Sequence, residues 1–169
     1  MIRRARMDEL PLLRDIEQAA GASFFDLGMA AVAEEDPLSV AELAAFHEDG
    51  RIWVATDQTD RPVGYLLVEV VDGNAHIEQV SVHPDHARQG LGRALLDAAD
   101  RWASQRGLPA LTLTTYAEVP WNGPYYARLG FTVLTEVEWP EGLRRIRDRE
   151  GARGLDAWPR VAMRRPVAT

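Results

Sequence analysis

The stretch Val80-Ser81-Val82-His83-Pro84-Asp85-His86-Ala87-Arg88-Gln89-Gly90-Leu91-Gly92 changes character twice. It opens as an alternating apolar run, crosses a Pro-containing polar turn, and ends in a loop with two glycines. Beyond it, Leu91, Leu95, Ala98 and Trp102 recur at helical spacing, and Gly107 stands where a helix would close. Strand, glycine loop, helix is an order that binds anions. Glycines let backbone approach a ligand, and the helix start presents unpaired N–H groups at its positive end. The expected guest is a phosphate or pyrophosphate. Two other phosphate loops fit worse. A dinucleotide fingerprint needs a third glycine where Leu95 stands, and a nucleotide-triphosphate loop needs a Gly-Lys-Ser/Thr that is absent.

This loop resembles the acyl-CoA loop of the GCN5-related N-acetyltransferases (GNAT). Their pattern is a strand, Arg or Gln, two residues, Gly, one residue, Gly or Ala, then a helix. Ala87 occupies the Arg/Gln position, which is a departure, with Arg88 and Gln89 beside it. The family holds the phosphates mainly through backbone N–H groups, so the departure implies a weakened site and not a lost one. A second segment, Asn122-Gly123-Pro124-Tyr125-Tyr126-Ala127-Arg128-Leu129-Gly130-Phe131, is similar to the family's second signature, a short helix ending Tyr-x-x-x-Gly-Phe. The resemblance covers Val63 to Leu134 well; the N-terminal third matches only in element order.

Periodicity and turn residues predict the remaining elements. Strands are expected at Ile2–Arg6, Ile52–Thr56, Val63–Val71, Ala75–Val82, Ala110–Thr115, Phe131–Trp139 and Arg160–Arg165. Asp72-Gly73-Asn74 reads as a hairpin turn. A helix is expected at Met7–Ala20, with Leu10, Leu13, Ile16 and Ala20 apolar, and another at Asn122–Leu129. Gly21 to Gly50 is helical but irregular, and the charged run Arg144–Arg153 reads as a solvated loop or helix. The order suits an α/β (α+β) fold. The resemblance implies the GNAT version: a mixed, mostly antiparallel sheet, a splayed central parallel strand pair ending at Val82 and Thr115, and helices on both faces. Residues 1–169 are read as a single domain.

The resemblance also implies chemistry: transfer of an acetyl group from acetyl-CoA, as co-substrate, to a primary amine of a small molecule or peptide by direct attack in a ternary complex. Main chain at Val80 and Val82 would pair with the pantetheine arm. The phosphates would meet Arg88, Gln89, Gly90, Leu91, Gly92 and Arg93. Tyr126 matches the family's tyrosine acid and would protonate the leaving thiolate. The amine must lose a proton before attack. Glu78 and His76 are the base candidates, with Glu118 behind them. Asn122 suits either a helix N-cap or a cofactor contact. The alternative is a non-catalytic acyl-CoA-binding sensor or regulatory module.

Composition narrows the classes further. The net charge of −7 argues against a nucleic-acid partner. No apolar run is long enough for a membrane span, and the charged start lacks the apolar stretch of a secretory signal. The chain has no cysteine, which removes disulfides and thiolate metal ligands and fits a cytoplasmic protein. Every cationic side chain other than histidine is arginine, so no lysine of its own is open to acetylation. His83 and His86 form a His-x-x-His pair without an evident third ligand, so a solvated turn is expected there and no metal site. GNAT proteins are often dimers, so a homodimer is compatible with the resemblance.

Overall fold

The structure is a computed structural model that describes residues 1–168. Seven strands form a sheet in the order β1-β2-β3-β4-β5-β7-β6. The chain divides into two compact units, whose boundaries fall inside continuous strands and one helix.

The first unit takes Met1–Val68 and Glu78–Ala98. It contains β1 (Ile2–Arg4), α1 (Leu10–Gly21), α2 (Ala30–Ala33), α3 (Val40–Glu48) and β2 (Ile52–Thr56). It also holds most of β3 (Pro62–Val71), the end of β4 (Asn74–Val82) and the start of α4 (Leu91–Gln105). β1 and β2 pair antiparallel with Ile2 opposite Ala55, and β2 and β3 pair with Val54 opposite Tyr65. The stripe Leu10, Leu13 and Ile16 of α1 packs with Leu43, Ile52, Val54, Tyr65 and Leu67. β1 stops at Arg4, earlier than the expected Arg6, because the Arg6 N–H donates to Glu9 at 2.8 Å and opens a 3-10 turn at Met7–Glu9. The irregular stretch after Gly21 resolves into a 3-10 segment at Ala22–Leu27, α2 and α3. A reciprocal box starts α3: the Glu42 N–H donates to Ser39 Oγ, and the Ser39 N–H donates to the Glu42 carboxylate, each at 3.1 Å.

The second unit takes Glu69–Ile77 and the chain from Ala99 onward. It contains β5 (Ala110–Tyr116), α5 (Gly123–Arg128), β6 (Thr132–Leu134), α6 (Glu141–Ala152) and β7 (Arg160–Pro166). β5 and β7 run antiparallel from Ala110↔Pro166 to Tyr116↔Arg160. β4 and β5 are the parallel pair, and their ladder is short, Ala75↔Leu111 and His76↔Thr112. The β3–β4 turn puts positive φ on Asp72 and Gly73, while Asn74 already belongs to β4. The Asp72 carboxylate then accepts the Gly142 and Leu143 N–H groups at 2.7 and 2.9 Å. It caps α6, whose own N-cap residue, Pro140, makes no side-chain cap bond. The run expected as a strand from Phe131 to Trp139 yields only Thr132–Leu134. Glu138 accepts both the N–H and the hydroxyl of Thr135, at 2.9 and 2.8 Å, and that box turns the chain into a 3-10 segment. The charged run after Arg144 is helical, with Leu143 and Arg147 buried on its inner side.

Candidate active site

In the first unit, the loop into α4 has the form its glycines suggest. Arg88 and Gly90 both adopt positive φ, +63° and +76°. The Gly90 carbonyl accepts the Ala94 N–H at 3.0 Å, so Gly90 is the last residue before the helix. The N–H groups of Leu91, Gly92 and Arg93 therefore have no partner one turn back. Ala87, Arg88, Gln89, Gly90 and Arg93 are exposed, and Leu91 and Gly92 are half-buried. A run of outward N–H groups at a helix start, flanked by two exposed guanidinium groups, fits a pyrophosphate. Just upstream, His83 Nδ1 accepts the Asp85 N–H at 3.1 Å and caps the 3-10 turn Pro84–His86. At the other end of α4, the Leu108 N–H closes on the Ala103 carbonyl at 2.9 Å with Gly107 left-handed. The first unit also holds Glu78, exposed on β4, and Val80 and Val82, both half-buried.

In the second unit, Tyr126 is buried at 9 % exposure, between Tyr125 and Phe131 with ring centroids 5.3 and 5.8 Å away. Its hydroxyl donates to no group among the described residues. Burial, with a smaller contribution from Tyr125, pushes the phenol well above its usual value and keeps it protonated. The helix that carries it is seated by Gly123. A Cβ there would lie 2.7 Å from the Ala117 carbonyl oxygen and 3.0 Å from that of Tyr116. No side chain fits, so α5 rests directly on main chain. Asn122 occupies the N-cap position of α5 without capping it. Its side-chain oxygen instead accepts the Thr115 hydroxyl at 2.6 Å, which ties α5 to β5. Glu118 is exposed.

His76 also belongs to the second unit. It is 2 % exposed, and its Nδ1 lies 2.9 Å from the Thr112 hydroxyl. Burial lowers its pKa to about 4, against a smaller upward pull from Glu150 and Asp72. The folded state thus keeps His76 neutral where the unfolded chain binds a proton. That contribution to stability is complete above the unfolded value of about 6.5 and is lost as pH falls towards 4. The expected cost is about 2 kcal/mol between pH 7 and pH 5, in the part of the window where few carboxylates titrate. Urea unfolding of the native chain and His76→Gln at both pH values checks this. Equal pH slopes in the two proteins would refute it.

Two features lay outside the sequence-based candidates. One is an ionic network in the second unit. Glu150 accepts Arg147 at 2.9 Å, Arg160 at 2.9 Å and the Thr114 hydroxyl at 2.6 Å, while Arg147 also donates to Asp156 at 2.9 Å. The other is a hydrogen bond in the first unit from the Tyr65 hydroxyl to Glu17, at 2.5 Å. Its signal was present in the sequence, because Glu17 follows Leu13 by one helical turn and so falls on the apolar stripe of α1.

Comparison with known proteins gives a consistent result. The model of the acetyltransferase (GNAT) family matches residues 13–131. The peptidyl-lysine N-acetyltransferase YjaB of Salmonella typhimurium is 29% identical over 138 residues, 81% of this chain and 86% of that one. The ribosomal protein bS18-alanine N-acetyltransferase of Escherichia coli is 33% identical over 78 residues, 46% of this chain and 53% of that one. Among solved structures, a GNAT-family acetyltransferase from Staphylococcus aureus superposes with a TM-score of 0.78 at 12% identity, over 99% of both chains. The PaiA N-acetyltransferase of Thermoplasma acidophilum, solved with coenzyme A, gives 0.73 at 13% identity, over 98% of both. Among the described residues, no helix is long and apolar enough to cross a membrane.

Proposed function

The chain belongs to the acetyltransferase (GNAT) family, and on that premise we propose that it transfers an acetyl group from acetyl-CoA to a primary amine of a small molecule or peptide. The observation that carries the reading is the loop at the start of α4, with two positive-φ residues ahead of outward-facing N–H groups. Bound there, acetyl-CoA supplies an activated thioester. Arg88 to Arg93 hold its phosphates, chiefly through main chain, which is why Ala87 in place of Arg or Gln is tolerable. Main chain at Val80 and Val82 takes the pantetheine arm, and the Asn122 amide nitrogen is a further cofactor contact.

Glu78 accepts the proton of the attacking amine, directly or through a water. Its exposure favours it over His76, whose burial and Thr112 contact suit support of the strand better. Tyr126 donates a hydrogen bond to the sulfur as negative charge develops there. Its raised pKa makes complete proton loss uphill, so its contribution lies in stabilising the transition state. Two relatives are named for acetylating peptidyl lysine and the alanine of a ribosomal protein, which supports a peptide amine as one acceptor.

Thermal unfolding with acetyl-CoA, NADH and ATP tests the reading. A ligand at 100 times its Kd adds about 2.7 kcal/mol, roughly 5–10 °C at this size. A rise with acetyl-CoA alone is expected, followed by amine-dependent thiol release that Glu78→Gln strongly reduces. Absence of any rise at millimolar acetyl-CoA would overturn it. A rise without thiol release for any amine would favour the non-catalytic acyl-CoA module.

A further inference from the structure

A cavity of about 300 Å³ opens in the first unit, where α1, the β2–β3 turn and the turn Pro84–His86 meet. That is the small end of the range for ligand sites, with room for about ten water-sized groups. Its floor is apolar: Ile16 of α1 and Val63 of β3 are buried, with Leu12 and Pro62 beside them. Its rim is charged. Asp15 stands on α1, Asp57 and Arg61 on the β2–β3 turn, and Asp85 on the turn that runs into the Ala87–Gly92 loop. None of these residues is among those assigned to acetyl transfer.

The rim holds charges of both signs apart. Elsewhere in the same unit Arg3 closes on Glu9 and Asp60, at 2.7 and 3.0 Å. Arg61 shares one cavity with three carboxylates and forms no ion pair among the described residues. Asp57 is fixed in place: its Oδ1 accepts the Thr59 N–H and hydroxyl, each at 2.8 Å, and the Arg61 N–H at 3.1 Å. Those bonds, the Thr59 hydroxyl foremost, hold its pKa below the usual carboxylate range, so the charge persists at neutral pH. Asp85 lies 3.8 Å from His83 Nδ1. The Asp15 carboxylate has no hydrogen bond or ion pair among the described residues.

A pure anion would meet three carboxylates in this cavity, and a pure cation would meet Arg61. A ligand that carries both charges satisfies both, and an apolar body covers the floor. We infer that the cavity binds a free apolar α-amino acid, its carboxylate on the Arg61 guanidinium, its ammonium on Asp15 and its side chain over Ile16 and Val63. The planar fork of an arginine matches a carboxylate in geometry as well as charge. Removal of the ligand's apolar surface from water adds a contribution independent of either charge. The site goes beyond the acetyl-transfer reading and does not depend on it.

Calorimetric titration of L-leucine into the full chain tests this. The controls are 3-methylbutylamine, which lacks the carboxylate, and 4-methylpentanoate, which lacks the ammonium. Leucine is expected to bind about tenfold more tightly than either, since each control forfeits one hydrogen-bonded charge. Arg61→Gln should bring leucine down to the affinity of the amine, and Asp15→Asn down to that of the acid. Both positions are exposed, so the variants should keep the native melting temperature and the native thermal shift with acetyl-CoA. Equal binding of the three compounds by the native chain would overturn the site. So would the absence of leucine binding at millimolar concentration, or an undiminished preference in folded Arg61→Gln.

Discussion

Tyr126→Phe is expected to lower kcat by roughly a hundredfold, the lower end of what a positioned proton or hydrogen-bond donor contributes. The Michaelis constant for acetyl-CoA should change by less than threefold. The reasons lie in the surroundings of the hydroxyl. It is held by a buried ring between Tyr125 and Phe131 and makes no hydrogen bond among the described residues, so its removal leaves none of their groups unsatisfied. Phenylalanine keeps both edge-on ring contacts, and the melting temperature should stay within a degree or two. Because burial keeps the phenol protonated far into the alkaline range, Tyr126 should produce no falling limb in the rate below about pH 10. Steady-state kinetics with a thiol-release readout, once an acceptor is in hand, measures both. An unchanged kcat would reduce Tyr126 to a packing residue.

Glu150→Ala carries the largest expected effect on stability, a loss of about 3–5 kcal/mol. Arg147 and Arg160 both donate to this carboxylate, and their side chains are only 9 and 8 % exposed. Removing the anion leaves two buried guanidinium groups with incomplete compensation. Arg160 also lies over the Tyr116 ring, 4.5 Å from its centroid, so the damage extends to the end of β5. The exposed Arg145–Glu141 pair on the same helix provides the control. Glu141→Ala should leave stability unchanged within error, because solvent already screens that pair. Urea titration of the three proteins decides the matter. A loss under about 1 kcal/mol for Glu150→Ala would mean that water replaces the carboxylate and that the network is not sealed.

These two sites differ in how far they could be read from the chain. The Tyr126 segment and the loop before α4 are local: glycine, proline and an aromatic within a few positions set the backbone, so their form was legible. The hairpin at Asp72-Gly73 was legible for the same reason. The Glu150 network was not. Its members join α6 to Thr114 on β5 and Arg160 on β7, and a run such as Arg144–Arg153 looks solvated until those partners are known. His76 was expected as a candidate base by alternation along β4. Its burial depends on what covers the strand, which alternation does not report. β6 shows a conflict between two local signals. The apolar alternation after Phe131 favoured a long strand, but the Thr135–Glu138 box, itself a four-residue pattern, ended it.

The seating of α5 has a bearing on how this protein could change over time. A side chain at Gly123 would collide with the main chain of Tyr116 and Ala117, so the placement of Tyr126 rests on a close backbone contact as well as on the Asn122–Thr115 hydrogen bond. A mutational library aimed at new acceptors should hold residues 122 and 123 fixed, because both seat the helix that carries the tyrosine.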